Sequence, residues 1–258
     1  MIRPLRISCK CTTYGRVNVL EEALYGFLHQ EYEGWKELVI VNDYPLQKLH
    51  FDHPQVRIYN LDETFDVIGD KENYTIERCE GDIIAVFDDD DIGLPNHLSN
   101  INKYWKDDTN LIHWNQALFY NGPNATKIAG VGNSGIVFSK RVWEEIGRSP
   151  IENAGGDMTF IVTIHNLGRE KVVVASPPDE EVGWIYRWGI PQAEVYHQSG
   201  QGTDVEGKAN IVERHKAHIE RLRKHGKIPT GDIELKPNWK YPYLAIRSRA
   251  AIDKKNKK

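Results

Sequence analysis

The sequence predicts an α/β fold: a mostly parallel sheet with helices on both faces. Short apolar runs alternate with stretches of helical spacing through the first half of the chain. The second of these runs closes on Asn42 and Asp43. A later run over residues 82–87 leads directly into four consecutive aspartates, Asp88, Asp89, Asp90 and Asp91. Open α/β sheets bind ligands at the carboxyl ends of their strands, so the polar ends of these runs mark the functional edge.

The first strand is expected over residues 5–12, with Ile7, Cys9 and Cys11 on one side and Arg6, Ser8 and Lys10 on the other. A turn at residues 13–16 leads into a helix whose apolar positions are Leu20, Ala23, Leu24, Phe27 and Leu28. Residues 35–41 read as the second strand and 56–59 as a short third. A helix over 73–79 is closed by Gly81, and 83–87 is the fourth strand. The segment from Leu94 through Tyr104 reads as a helix. Beyond it the pattern changes. Residues 111–120 are aromatic and β-forming, with a turn at 121–124, and 130–138 are glycine-rich and end in a strand. Helices are expected at 141–146, 158–167 and 210–224, and strands at 172–175 and 184–188.

Composition sets the outer limits. The chain has 258 residues, 40% hydrophobic and 27% charged, which suits one large α/β domain with or without an appendage. No apolar stretch is long enough to span a bilayer and the first residues lack a signal-peptide core, so a cytoplasmic location is expected. Three cysteines without framework spacing read as buried thiols. Residues 206–258 carry 15 basic and 6 acidic side chains, a net of +9 on a remainder of −13. That asymmetry points to an anionic partner, or to a solvated helix with a basic tail.

The aspartate run carries the chemistry. Adjacent carboxylates repel, and hard cations such as Mg²⁺ or Mn²⁺ relieve them while sharing oxygen ligands with substrate phosphates. Helix capping explains one or two of the four.

These segments together resemble the family 2 glycosyltransferases of GT-A fold, over about residues 5–200. The resemblance rests on the turn at residues 12–16, the strand at 37–43, the segment 68–73, the DXD-bearing strand at 80–91, and Gly155-Gly156-Asp157 at the place of the family's Glu-Asp pair. It implies a GT-A domain over 1–205, with a nucleotide-sugar half (1–110) and an acceptor half (111–205). A basic helical or extended tail (206–258) follows. It also implies a nucleotide-diphosphate sugar donor, UDP-linked, and Mn²⁺ or Mg²⁺. Thr12, Tyr14, Arg16, Asn42, Asp43, Lys71, Asp88 and Asp89 would bind the donor. Asp90, with Asp88 and His197, would hold the metal, and Asp91 would be a cap or a neighbour of the ligands. Asp157 would be the general base of an inverting transfer; since it precedes a helix, capping competes. Gly132, Asn133, Ser134 and Gly135 are expected beside the donor sugar or in a plain turn. Trp184, Tyr186 and Trp188 read as an acceptor platform or a core strand with Arg187 outward. The acceptor is a saccharide or lipid-linked saccharide, or a hydroxyl-bearing modified base in DNA held by the basic tail, which also suits an anionic membrane surface. Other classes remain beside this one: a nucleotidyltransferase of the same fold, whose glycine-rich phosphate loop is poorly matched here, and a non-catalytic binding module.

Overall fold

The computed structural model of the chain describes residues 4–121, 125–129, 135–150, 156–190, 195–196 and 211–238. In chain order the elements are β1 (Ile7–Thr13), α1 (Val17–Leu28), β2 (Lys36–Asn42), β3 (Gln47–His50), β4 (Val56–Asn60), α2 (Ile68–Glu77), β5 (Ile83–Val86), β6 (Ile92–Gly93), α3 (His97–Tyr104) and β7 (Leu111–Trp114). There follow β8 (Gln116–Asn121), β9 (Ala125–Ala129), β10 (Val137–Ser139), α4 (Lys140–Glu145), α5 (Gly156–Leu167), β11 (Val172–Ala175), β12 (Trp184–Ile190), β13 (Val195–Tyr196), α6 (Ile211–Lys224) and β14 (Gly231–Glu234).

The central sheet has seven strands in the order β11-β7-β10-β5-β1-β2-β4. Its neighbours pair in parallel, except β10, which runs antiparallel to both β5 and β7. Strands buried on both faces need apolar residues throughout, and β1, β2 and β5 are almost wholly buried. Cys9 and Cys11 are core thiols, pushed up by burial. Helix α1 lays Leu20, Ala23, Leu24 and Phe27 against one face of the sheet. Phe160, Ile161 and Ile164 of α5 pack on the other face, with Val39, Ile84, Val86 and Phe138.

A second sheet, in the order β13-β12-β8-β9, takes β6 as an additional partner of β12. This pairing matters for function, because β6 immediately follows the four aspartates. A small parallel ladder joins β3 to β14, so residues 231–234 return to the first half of the chain. Neither strand was foreseen, since four-residue strands in a two-stranded ladder carry no periodic signature.

Three local differences from the sequence reading have clear causes. Helix α2 starts at Ile68, not at residue 73, because Val67 is extended and Asp70 falls in the first turn, where a carboxylate suits the helix dipole. Gly81 does not close α2, which ends at Glu77 with Arg78 as its cap; it serves close approach, since a Cβ there would lie 2.7 Å from Ser8 N and 2.8 Å from Arg6 O. Arg187 points inward, not outward. It is 1% exposed and pairs with buried Glu22 of α1, while its Nε donates to the Asp90 carbonyl. Trp184 is also interior, with its ring 5.3 Å from Phe87 and 4.7 Å from His97, so it offers no acceptor platform. Tyr186 packs 5.9 Å from Phe119, and the Trp188 side chain lies outside the described residues.

Removing one partner of a buried ion pair strands the other charge. Arg187→Met is therefore expected to cost about 3–5 kcal/mol of stability. The double variant Glu22→Gln/Arg187→Met should recover part of that loss in denaturant unfolding; no recovery would show that the pair itself is not the source.

Candidate active site

A cleft opens at the carboxyl ends of β1 and β2. Its walls include Thr12, Tyr14, Arg16, Asp43, Lys71 and, from α6, His215. Sequence and fold converge here: each strand end supplies the residue that follows its apolar run.

At one end of the cleft, Asp43 holds a network. Its Oδ1 accepts from Lys71 Nζ and its Oδ2 from the Phe65 amide at 3.1 Å. Lys71 also donates to the Thr13 carbonyl at 2.7 Å, tying α2 to the end of β1. Tyr14 stands beside them, edge-on to Tyr44 at 4.9 Å, and its hydroxyl pKa is raised by burial. Asn42 does not line the cleft. Its amide nitrogen donates to Gln47 O at 3.0 Å and Asn60 Oδ1 at 3.1 Å, and its oxygen accepts from the Tyr44 amide at 3.2 Å. It shapes the β2–β3 turn.

Arg16, in the wall of the cleft, joins it to the aspartate run. Arg16 Nε donates to Asp89 Oδ2 at 3.0 Å, Nη2 to Asp89 Oδ1, and Nη1 to Asp90 Oδ2 at 2.8 Å. Asp89 thus has both oxygens on Arg16, and Asp90 has one. Burial disfavours the Arg16 charge, but Asp89 and Asp90 outweigh it and the guanidinium is held more firmly protonated than usual. Asp91 accepts from Trp184 Nε1 at 3.2 Å and from the Arg187 amide at 2.8 Å. It is no helix cap: α3 begins six residues later, behind Asn96. It pins the acidic loop to β12.

Asp88 differs from its neighbours. Among the described residues its carboxylate takes no hydrogen bond, and its pKa is raised from 3.8 to about 7. Burial is the largest cause; Lys10 opposes it, and Glu72, Asp90 and Asp89 add to it. Lys10 is 2% exposed in central strand β1 and pairs with Glu72 of α2. Sequence reasoning missed this buried pair because a lysine alternating with cysteines looks solvent-facing until both faces of the strand are known to be covered. Two cations, Lys10 and Arg16, thus face four carboxylates: Glu72, Asp88, Asp89 and Asp90. An uncompensated negative surplus with oxygen donors on Asp88 and Asp90 fits a hard divalent cation.

The remaining expected site residues are only partly described. Asp157 falls in the first turn of α5, not before it, and its side chain lies outside the described residues. The helix is seated by Phe160, whose ring is 4.8 Å from Phe138 of β10, next to β5. His197, Gly132, Asn133 and Ser134 also lie outside the described residues. Sequence reasoning did not place α6 at the cleft, yet Val212, His215 and Lys216 line it. Their spacing with Ile219 puts them on one helical face. His215 lies 5.8 Å from the Tyr14 ring, and its pKa is lowered to about 3 by burial, then by Arg16 and Lys71, so the imidazole is neutral.

The family model described as "Glycosyl transferase family 2" matches residues 11–156, more than half of the chain. The chain belongs to glycosyl transferase family 2. It is a glycosyltransferase of GT-A fold, as its central sheet and its structural neighbours agree. No curated protein matches it by sequence. S. aureus TarS 1-349 in complex with UDP-GlcNAc is similar at a TM-score of 0.58 and 12% identity, over 86% of this chain and 75% of that one. The same protein in complex with UDP gives 0.58 and 14%, over 86% and 74%. The mannosyltransferase PcManGT from Pyrobaculum calidifontis, in complex with GDP-Man and Mn²⁺, gives 0.56 and 14%, over 97% and 81%. No helix among the described residues of this glycosyltransferase is long and apolar enough to cross a membrane.

Asp88 generates a pH prediction. Its folded-state pKa lies above its unfolded value, so the folded protein retains a proton that the unfolded chain releases. The stability this contributes is fully present below the unfolded value of 3.8 and is lost as pH rises through about 7. Denaturation midpoints measured in chelator should fall across that window, and Asp88→Asn should flatten the fall. An identical slope in the variant would show that Asp88 is not the titrating group.

Proposed function

We propose that this glycosyltransferase moves a sugar from a nucleotide-diphosphate donor, UDP-linked, to an acceptor hydroxyl with inversion. The observation that carries the reading is the layout of one cleft. A buried carboxylate and a tyrosine line it, and Arg16 in its wall is bonded to Asp89 and Asp90 of a negatively surcharged aspartate loop. The TarS complexes with UDP-GlcNAc and UDP, and the PcManGT complex with GDP-Man and Mn²⁺, support a donor of this class.

In this reading Asp43 accepts from a ring N–H of the base, and Tyr14 covers the base. Thr12 and Lys71 border the nucleoside. Asp88 and Asp90 hold Mn²⁺ or Mg²⁺, with His197 as a further ligand. Bound there, the cation offsets charge on the leaving diphosphate. Asp89 serves the donor indirectly, by fixing Arg16 against the loop. Asp157 takes the acceptor hydroxyl's proton as that oxygen bonds to the anomeric carbon. The bond from the anomeric carbon to the diphosphate oxygen breaks, and its electron pair leaves with the diphosphate. The products are a glycoside and a nucleoside diphosphate.

Saccharides, lipid-linked saccharides and duplex DNA with hydroxyl-bearing bases are the acceptors to compare. DNA binding through the basic residues of 206–258 would weaken steeply with salt.

Purified protein is to be tested with a panel of nucleotide sugars for Mn²⁺-dependent hydrolysis and for thermal stabilisation. One donor should stabilise it, and chelator should abolish turnover. Asp90→Asn should lose most Mn²⁺-dependent turnover. Asp157→Asn should lower kcat by about 10²–10⁴-fold while leaving donor affinity near the native value. Indifference to every nucleotide sugar would refute the reading.

A further inference from the structure

Helix α6 lies beyond the segment matched by the family model, yet it closes the donor cleft. Its seat is specific. Ile219 is fully buried with Tyr44, Leu222 and Ile228, and Tyr14 packs against them. Gly15, at φ +70°, leaves room for the helix: a Cβ there would lie 2.7 Å from Ile219 Cγ2. Lys216, one turn before Ile219, is thereby turned to the cleft.

The cations lining the cleft are not equivalent. Arg16 spends three bonds on Asp89 and Asp90. Lys71 is committed to Asp43 and the Thr13 carbonyl. Lys216 has weaker attachments. Its Nζ lies 3.7 Å from Asp66 and 3.6 Å from Glu213, whose side chains are 96% and 72% exposed, while its own is 23% exposed. Pairs of this kind are screened by water and contribute little. Among the described residues, Lys216 is the cleft cation that can turn to a new anion without breaking a buried pair.

We propose that Lys216 is a donor-binding residue that contacts the diphosphate, supplied to the cleft by the C-terminal helix. The assignment rests on the nucleotide-diphosphate reading above. Its compact ammonium on a flexible stem suits a phosphate oxygen better than a planar base edge. Its weak, water-screened attachments leave the ammonium able to exchange Asp66 for a ligand anion.

The test separates phosphate binding from base binding. The full chain is titrated calorimetrically with UDP and GDP, and with the phosphate-free uridine and guanosine, at fixed Mn²⁺. For the nucleotide that binds, Lys216→Met should weaken nucleoside diphosphate affinity by about 10- to 100-fold, as loss of a charge-assisted contact does. It should leave affinity for the matching nucleoside unchanged. Lys216→Arg should restore most of the loss, and Lys224→Met, on the same helix but outside the cleft, should bind like the native protein. Full diphosphate affinity in Lys216→Met would overturn the assignment. So would an equal loss for nucleoside and diphosphate, which would mark α6 as a wall for the base alone. Failure of the native protein to bind either nucleoside diphosphate would instead remove the donor reading, and the assignment with it.

Discussion

Arg16 is bound three times to Asp89 and Asp90, and the rest of the site depends on that clasp. Carboxylates packed this closely at a strand end repel one another strongly where water is scarce. One guanidinium neutralises the inner part of the run and fixes its backbone, because a planar fork can grip two carboxylates in one geometry. The outer carboxylate, Asp88, is left with a surplus that nearby Lys10 only partly offsets. The negative surplus and the Arg16 clasp thus sit on the same loop, one at its outer and one at its inner carboxylates.

The same loop is tied from the other side. Asp91 reaches Trp184 and the Arg187 amide, and the Arg187 guanidinium reaches back to the Asp90 carbonyl and to Glu22 of α1. The acidic loop is therefore clamped between α1 and β12, with β6 hydrogen-bonded to β12 just downstream. This explains the cost accepted in burying Arg187 and Glu22. Such a pair gains little stability over apolar residues of the same size, but it fixes one arrangement of three elements around the aspartates.

Punctuation was legible in the sequence; burial was not. Asp43, Arg16 and the aspartate run follow apolar strands directly, so their places at the functional edge follow from topology alone. Lys71 was legible by resemblance, and the cleft includes it. Lys10, Glu72, Glu22 and Arg187 were not legible as buried pairs. Each sits in a strand or helix where alternation alone would turn it to solvent, and only the packing of α1, α2 and the second sheet decides otherwise. Asn42 failed for a related reason: a polar residue at a strand end serves equally well as a turn organiser, and its three hydrogen bonds show that use. The β3–β14 ladder pairs residues more than 180 positions apart and leaves no local trace.

That ladder bears on how the cleft is built. The family match ends at residue 156, yet β14 and α6 return to the β1 and β2 edge. Their attachment depends on few contacts: a four-residue ladder, a small cluster around Ile219, and the space left by Gly15. Elements held by limited burial open at lower free energy than the sheet that carries them. Division of labour follows from these strengths. The rigid sheet fixes the carboxylates at its strand ends, and the lightly attached C-terminal segment supplies one wall of the cleft.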